Sequence, residues 1–382
     1  MSRRTRLVSV LAAAAAVTAG CGTATPQPGA AASPAPPPSL ATSLVTPTGT
    51  WAVAETGGSA ASHNNFWQLF ARPAGTTKWR LVTPPGVASN GGLVIATPGA
   101  GTVVAGFRPS QNLAYSPLAT TYNNGAAWSP SLLDARLANV PAALAAAQGS
   151  GRLLALLANG TAELSSPGGT HWAPLATMRS LARSAAGRRC GLKSLSVAAF
   201  SPSGVPLLAG TCSHRRTAGV FALTGGVWRL AGPPFPAAMP GQPSRVLGLT
   251  VAGNRETALL AAGTGRDTTL LAAWSVGGGR WASSSPLPLG GSEVASVSIG
   301  PGGAVGAVLN GRAGVISGPG SAWQWLPFLP AGTQTLALGP RAQVDALAAA
   351  GATFTAWAWP PGSAGWAKTQ TLHVPVQYGS SG

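Results

Sequence analysis

Acidic residues are scarce in this chain of 382 residues, where seven Asp and Glu stand against 24 Lys and Arg. Hydrolysis of a glycosidic bond by the common routes needs two carboxylates flanking that bond. Only Glu55, Asp134, Glu163, Glu256, Asp267, Glu293 and Asp345 could supply them. Asp134 and Asp267 have Arg136 and Arg266 close by in sequence, which favours surface ion pairing over catalysis. The histidines, His63, His171, His214 and His373, are scattered, and no Gly-x-Ser-x-Gly elbow occurs, so no nucleophile–base grouping is legible. A Walker-type phosphate loop is missing as well. Cysteine is limited to Cys21, Cys190 and Cys212, with no further Cys or His at ligand spacing, which argues against zinc. Neither a metal nor a cofactor is expected. Only 8% of residues are charged, yet 45% are hydrophobic and glycine (52) and proline (34) are abundant, which describes a folded, turn-rich chain.

What is present begins with an export signal over residues 1–20. Arg3, Arg4 and Arg6 form a positive start, Leu7 to Val17 form a short apolar run, and Thr18-Ala19-Gly20 supply small residues before Cys21. The apolar run is too short for a good membrane-spanning helix. Thr18-Ala19-Gly20-Cys21 resembles a bacterial lipobox, with Thr where Leu or Val is commoner. That resemblance implies that Cys21 becomes the lipidated first residue of the mature protein, anchored at the outer side of the cytoplasmic membrane. Residues 21–42, rich in Pro, Ala and Ser, read as an extended, disordered tether. The net charge of +17 would suit nucleic acid, but export removes nucleic acid as a partner. In an exported protein Cys190 and Cys212 are expected to form a disulfide.

Residues 43–376 read as one repeating all-β domain, followed by a flexible tail over 377–382. No sustained helical periodicity is visible, and short apolar runs alternate with Gly-containing turns. Trp79, Trp128, Trp172, Trp228, Trp281, Trp325 and Trp366 each follow a small-residue turn, at spacings that suit a four-stranded propeller blade. Apolar first strands (Leu93–Ala96, Leu195–Ala199, Val246–Val251, Val294–Ile299, Leu336–Leu338) lead through tight turns to apolar second strands (Val103–Phe107, Leu153–Leu157, Leu207–Thr211, Ala258–Ala262, Ala304–Leu309). Strands this uniformly apolar are buried on both faces. Seven tryptophans predict a seven-bladed β-propeller of four-stranded antiparallel blades, with six or eight blades, or two stacked β domains, as the alternatives.

Thr121-Tyr122-Asn123-Asn124-Gly125-Ala126-Ala127-Trp128 resembles the Asp-box of sialidase-type propellers, a Ser/Thr-x-Asp-x-Gly-x-x-Trp turn. Ser165 to Trp172 is a poorer copy, with Pro167 at the Asp position, and the other copies keep little beyond Gly and Trp. The resemblance implies a folding element between the third and fourth strands rather than a catalytic one. Sialidase-type catalysis further implies an arginine triad and a Tyr nucleophile with an acidic partner. The only tyrosines are Tyr115, Tyr122 and Tyr378, and the Arg-Ile-Pro-like motif is missing.

In an up-and-down meander, second-to-third-strand loops share one face with the connections between blades. Most of the arginines beyond the signal map there: Arg108, Arg136, Arg179, Arg183, Arg188, Arg189, Arg215, Arg216, Arg245, Arg266 and Arg312. So do the longest loops, which is where binding residues concentrate. Around the expected disulfide cluster Arg188, Arg189, Arg215 and Arg216, a candidate site for an anion or a partner, since guanidinium forks match oxyanions. The expected function is therefore a non-catalytic extracytoplasmic binding or scaffold lipoprotein. Its partner would be an envelope protein or an anionic cell-wall polymer, besides the membrane that holds the lipid. The alternative is a divergent sialidase-like glycoside hydrolase.

Overall fold

Alternating apolar runs and glycine turns give strands almost everywhere in the computed structural model. It describes residues 42–57, 65–84, 92–99, 101–107, 118–130, 141–213, 217–235, 243–277, 279–326, 328–339, 343–360 and 362–375. The signal over 1–20, Cys21, the tether before residue 42 and the tail over 377–382 lie outside the described residues. Arg108, Arg136, Arg215, Arg216, Asp134, Tyr115 and Tyr378 do as well.

Among the described residues the strands form seven successive antiparallel meanders of four main strands each, over 42–81, 93–130, 141–177, 192–230, 244–288, 294–326 and 333–373. The first strand of each is innermost. The expected strands reappear closely: Val294–Ile299 and Leu153–Leu157 match residue for residue, and Leu207–Thr211 is extended to Pro206–Cys212. The second strands are the most deeply buried, as their apolar runs require (Leu153–Leu157 and Val305–Leu309 are buried throughout). The first strands, expected to be buried on both faces too, are mostly only partly buried, as in Leu93–Gly99, Ser244–Ala252 and Val294–Ile299.

Seven apolar clusters join the meanders, one between each neighbouring pair. The seventh packs Ala52, Ala54, Phe70 and Trp79 of the first meander against Leu347, Phe354 and Ala356 of the last. The meanders thus close into a ring. Each cluster takes one tryptophan from the start of an outermost strand: Trp128, Trp172, Trp228, Trp281, Trp366 and Trp79 in six of them. In the seam between the fifth and sixth meanders that place belongs to Trp323, not to the expected Trp325. The Trp323 indole N–H donates to the Ser284 hydroxyl and the Ser285 carbonyl, both at 3.1 Å. Trp325 is 38% exposed, and the Arg312 guanidinium lies 4.0 Å from its ring centre. Two indoles two residues apart fit the spacing equally well, and only packing chooses between them.

The turn before Trp128 shows how one such seam is made. The Thr121 hydroxyl accepts the Gly125 N–H (2.9 Å), and Asn123 Oδ1 accepts the Ala127 N–H (2.9 Å). Both acceptors serve backbone amides, so Asn does at this position what a carboxylate would do. The Trp128 indole N–H then donates to the Val82 carbonyl of the first meander at 2.8 Å. Gly125 has φ +80°, and a Cβ on it would sit 2.7 Å from Val82 Cβ. The junction therefore needs glycine for both conformation and space.

Near the axis the inner strands of the sixth, seventh and first meanders are knit together. The hydroxyls of Ser43 and Ser298 both donate to the Leu336 carbonyl at 2.6 Å, and Leu44 bridges Ile299 in parallel register. Loops between second and third strands share one face with the links between meanders, and the remaining turns form the other face.

Candidate anion-binding face

The link from the third to the fourth meander, where the sequence shows no helical periodicity, folds into two helices, α1 (Met178–Arg183) and α2 (Ala185–Cys190). Thr177 caps α1 reciprocally with Ser180, and the Ser184 hydroxyl accepts the Gly187 N–H at 3.0 Å to start α2. Gly191, at φ +66°, ends α2 in the left-handed conformation that glycine favours. Helices of under two turns show no periodicity in sequence, but the Thr177…Ser180 pair and Gly191 were readable signals for them.

The inner side of this pair of helices is apolar. Leu181, Ala186 and Cys190 join the cluster containing Leu208, Phe221 and Trp228, between the third and fourth meanders. The expected Cys190–Cys212 disulfide is present, with 5.3 Å between the Cα atoms. It ties the end of α2 to strand Pro206–Cys212, whose last residues also pair with Ser244 and Arg245 of the next meander. Gly219 lies against the sulfurs, where a Cβ would come within 2.4 Å of Cys212 Sγ. The outer side carries Arg179, Arg183, Arg188 and Arg189, all exposed, with exposed Lys193 just beyond. Between Glu163 and Glu256 the chain has no acidic residue. Arg183, Arg188 and Arg189 occupy last turns, where positive charge complements the helix ends. The Arg188 guanidinium donates to the Arg183 carbonyl. Beside α1, Arg179 and Arg183 line an open hollow of about 660 Å³ with Asn159, Thr161 and Thr177.

Of the four arginines expected to cluster here, Arg188 and Arg189 are neighbours on α2, whereas Arg215 and Arg216 lie outside the described residues. Arg179 and Arg183 join the group because α1 carries them on its exposed side, a placement that needs the helix to be recognised.

The acids are arranged differently. Glu163, Glu256 and Asp345 are buried, while Asp267 and Glu293 are exposed. Asp345 forms an ion pair with Arg72. None of three hollows described is lined by a carboxylate. These are the one beside α1, a hydroxyl-lined groove of about 430 Å³ between the second and third meanders, and a small axial depression of about 170 Å³. Among the described residues no group of three His, Cys, Asp or Glu is placed to hold a metal ion.

Burial pushes the Glu256 carboxyl above its ordinary value of 4.5. The folded protein then binds this proton more tightly than the unfolded chain does. The group's contribution is most favourable at low pH and is lost as pH rises through the raised value. Glu256→Gln is expected to flatten the fall in stability above pH 4.5, as read from urea midpoints across a pH series. Identical slopes for variant and parent would refute the assignment. Burial raises Asp345 as well, against the opposing pull of Arg72 and Gln343, so some slope is expected to remain.

No protein-family model matches the chain, and no curated protein sequence does. Solved structures do resemble it. The GH74 xyloglucanase from Xanthomonas campestris aligns with a TM-score of 0.50 and 14% identity, over 85% of this chain and 52% of its own, so this chain spans about half of that enzyme. YCF48 bound to D1 peptide aligns at 0.46 and 16%, over 81% of this chain and 90% of its own. The six-bladed fucose-binding lectin of Aleuria aurantia aligns at 0.40 and 14%, over 90% and 96%. At 14% identity the likeness to the xyloglucanase speaks for architecture alone, and with the closed ring of antiparallel meanders it gives the chain an all-β propeller fold.

Proposed function

We propose that this protein is a seven-bladed propeller of the Asp-box type acting as a non-catalytic binding protein outside the cytoplasmic membrane, held there by lipid on Cys21. Its ligand is anionic and is taken at the α1–α2 face. The observation that carries this reading is the outer side of the two helices, where four exposed arginines are held over a disulfide-tied core. Grouped guanidiniums repel one another, and a polyanion with several oxyanions relieves that repulsion while accepting paired hydrogen bonds. The seven seams, the last of them joining the ends of the described chain, support the blade count. The Thr121–Trp128 turn supports the Asp-box assignment through its two side-chain-to-amide bonds.

Binding of the full chain to a poly(glycerol phosphate) polymer tests the reading. The combined variant Arg179→Ser, Arg183→Ser, Arg188→Ser, Arg189→Ser is expected to lose roughly tenfold or more in affinity, and parental binding should weaken with salt. Equal affinity in parent and variant would end the proposal. Sialosides and cell-wall glycans are expected to survive incubation intact. Sugar release that disappears in Asp134→Ala or Asp267→Ala would instead make the protein a divergent sialidase-like hydrolase.

A further inference from the structure

In the link between the sixth and seventh meanders Phe328 is 89% exposed, the most exposed of the large apolar side chains among the described residues. It also has φ +48°, a conformation that costs a non-glycine residue energy. Two unfavourable features thus coincide at one phenylalanine. Trp325, three residues earlier, is 38% exposed beneath the Arg312 guanidinium. Strand Gln324–Leu326 runs toward the link to the last meander, and strand Arg312–Ile316 begins at a second-to-third-strand turn. Phe328 and Arg312 therefore share the face that bears α1 and α2, well apart from them around the ring, with Trp325 on the outermost strand beside them, under the Arg312 guanidinium. Arg266, in the short helical turn Gly265–Asp267, lies on that face between the two groups. Strand Thr42–Thr46 is the first strand of its meander, so its starting end lies on the same face. The segment leading back toward Cys21 leaves from there.

We propose that this face docks on an anionic phospholipid bilayer. Phe328 and Trp325 enter the headgroup–acyl boundary while the α1–α2 arginines contact lipid phosphates elsewhere on the ring. This rests on the anion-binding reading above and names its partner. A soluble polyphosphate chain would need cations only. A projecting phenyl ring, and an indole capped by a guanidinium, gain energy where a phosphate layer adjoins hydrocarbon. Exposed Asp267 and Glu293 lie on this face too, leaving the arginines in excess. The placement of the two groups gives two separated points of contact, which fixes the tilt of the ring against the surface.

The test uses the full protein as the cell processes it, in nanodiscs of phosphatidylcholine with or without phosphatidylglycerol, read by amide hydrogen exchange. Residues 178–190 and 324–329 are expected to exchange several-fold more slowly on the anionic discs, with the difference removed by high salt. Phe328→Ser is expected to cut the docked population roughly tenfold, reducing protection at both segments together. Protection confined to 178–190, and reproduced by soluble poly(glycerol phosphate), would overturn docking while leaving the anion site standing. Exchange unchanged by discs and polymer alike would overturn both.

Discussion

Asp345→Ala is expected to destabilise the protein by about 3–5 kcal/mol, because it leaves the Arg72 guanidinium largely buried without its carboxylate. The Arg72 side chain is 13% exposed and that of Asp345 4%, and theirs is the one ion pair found among the described residues. Its location matters as much as its burial. Every other seam joins meanders that are consecutive in the chain, but the first and last meet only through space. Each is complete in itself, so this junction rests on side chains and a single backbone bridge, Gly57 to Gly351. Phe70 stacks on Phe354 with ring centres 3.8 Å apart. Gln334 bonds both the N–H and the carbonyl of Glu55 at 2.7 Å, and Gln370 does the same for Trp79 at 2.6 and 3.0 Å. Urea unfolding of Asp345→Ala should show the loss. Amide exchange should rise more in the first and last meanders than in the third and fourth. The double variant Arg72→Met, Asp345→Leu should recover most of it, since apolar residues replace a buried pair at little net cost. A loss below about 1 kcal/mol in the single variant would mean that solvent reaches the pair and that closure rests elsewhere.

Replacing both cysteines, Cys190→Ser with Cys212→Ser, is expected to cost about 3 kcal/mol from the loop-closure relation at a sequence separation of 22. The effect should be uneven. The α1–α2 segment has two short helices with few internal bonds, so it depends on the tie to strand Pro206–Cys212 and on Leu181 and Ala186 in the core beneath. Calorimetry should show a lower melting temperature, and exchange over 178–190 should quicken before the global transition. Poly(glycerol phosphate) affinity should fall in parallel, because the four arginines lose their common support. A reduced protein that melts and binds like the oxidised one would show that packing alone holds the helices in place.

Much of this architecture was legible in the residues. Runs such as Leu153–Leu157 and Val305–Leu309 announce buried strands because a strand covered on both faces has no polar side to display. Glycine turns mark their ends, and the tryptophan repeat marks the seams. The pairing of Cys190 with Cys212 was expected from the reading of residues 1–20 as an export signal. Other features were hidden for definite reasons. The helices α1 and α2 are too short to have a period. Trp323 and Trp325 differ only in what they touch. Phe328 is one apolar residue among many until its exposure and positive φ are seen together.

Local pattern alone, then, determined strand content, turn positions, the repeat, and a strongly basic exterior with few carboxylates to spare. Those properties depend on neighbours within a few residues. Tertiary structure alone decided that Arg72 meets Asp345 across 273 residues of chain, that Trp323 rather than Trp325 fills a seam, and that four arginines gather on one outer surface. Such contacts are set by closing the ring, and the free energy of closure belongs to no single stretch of sequence.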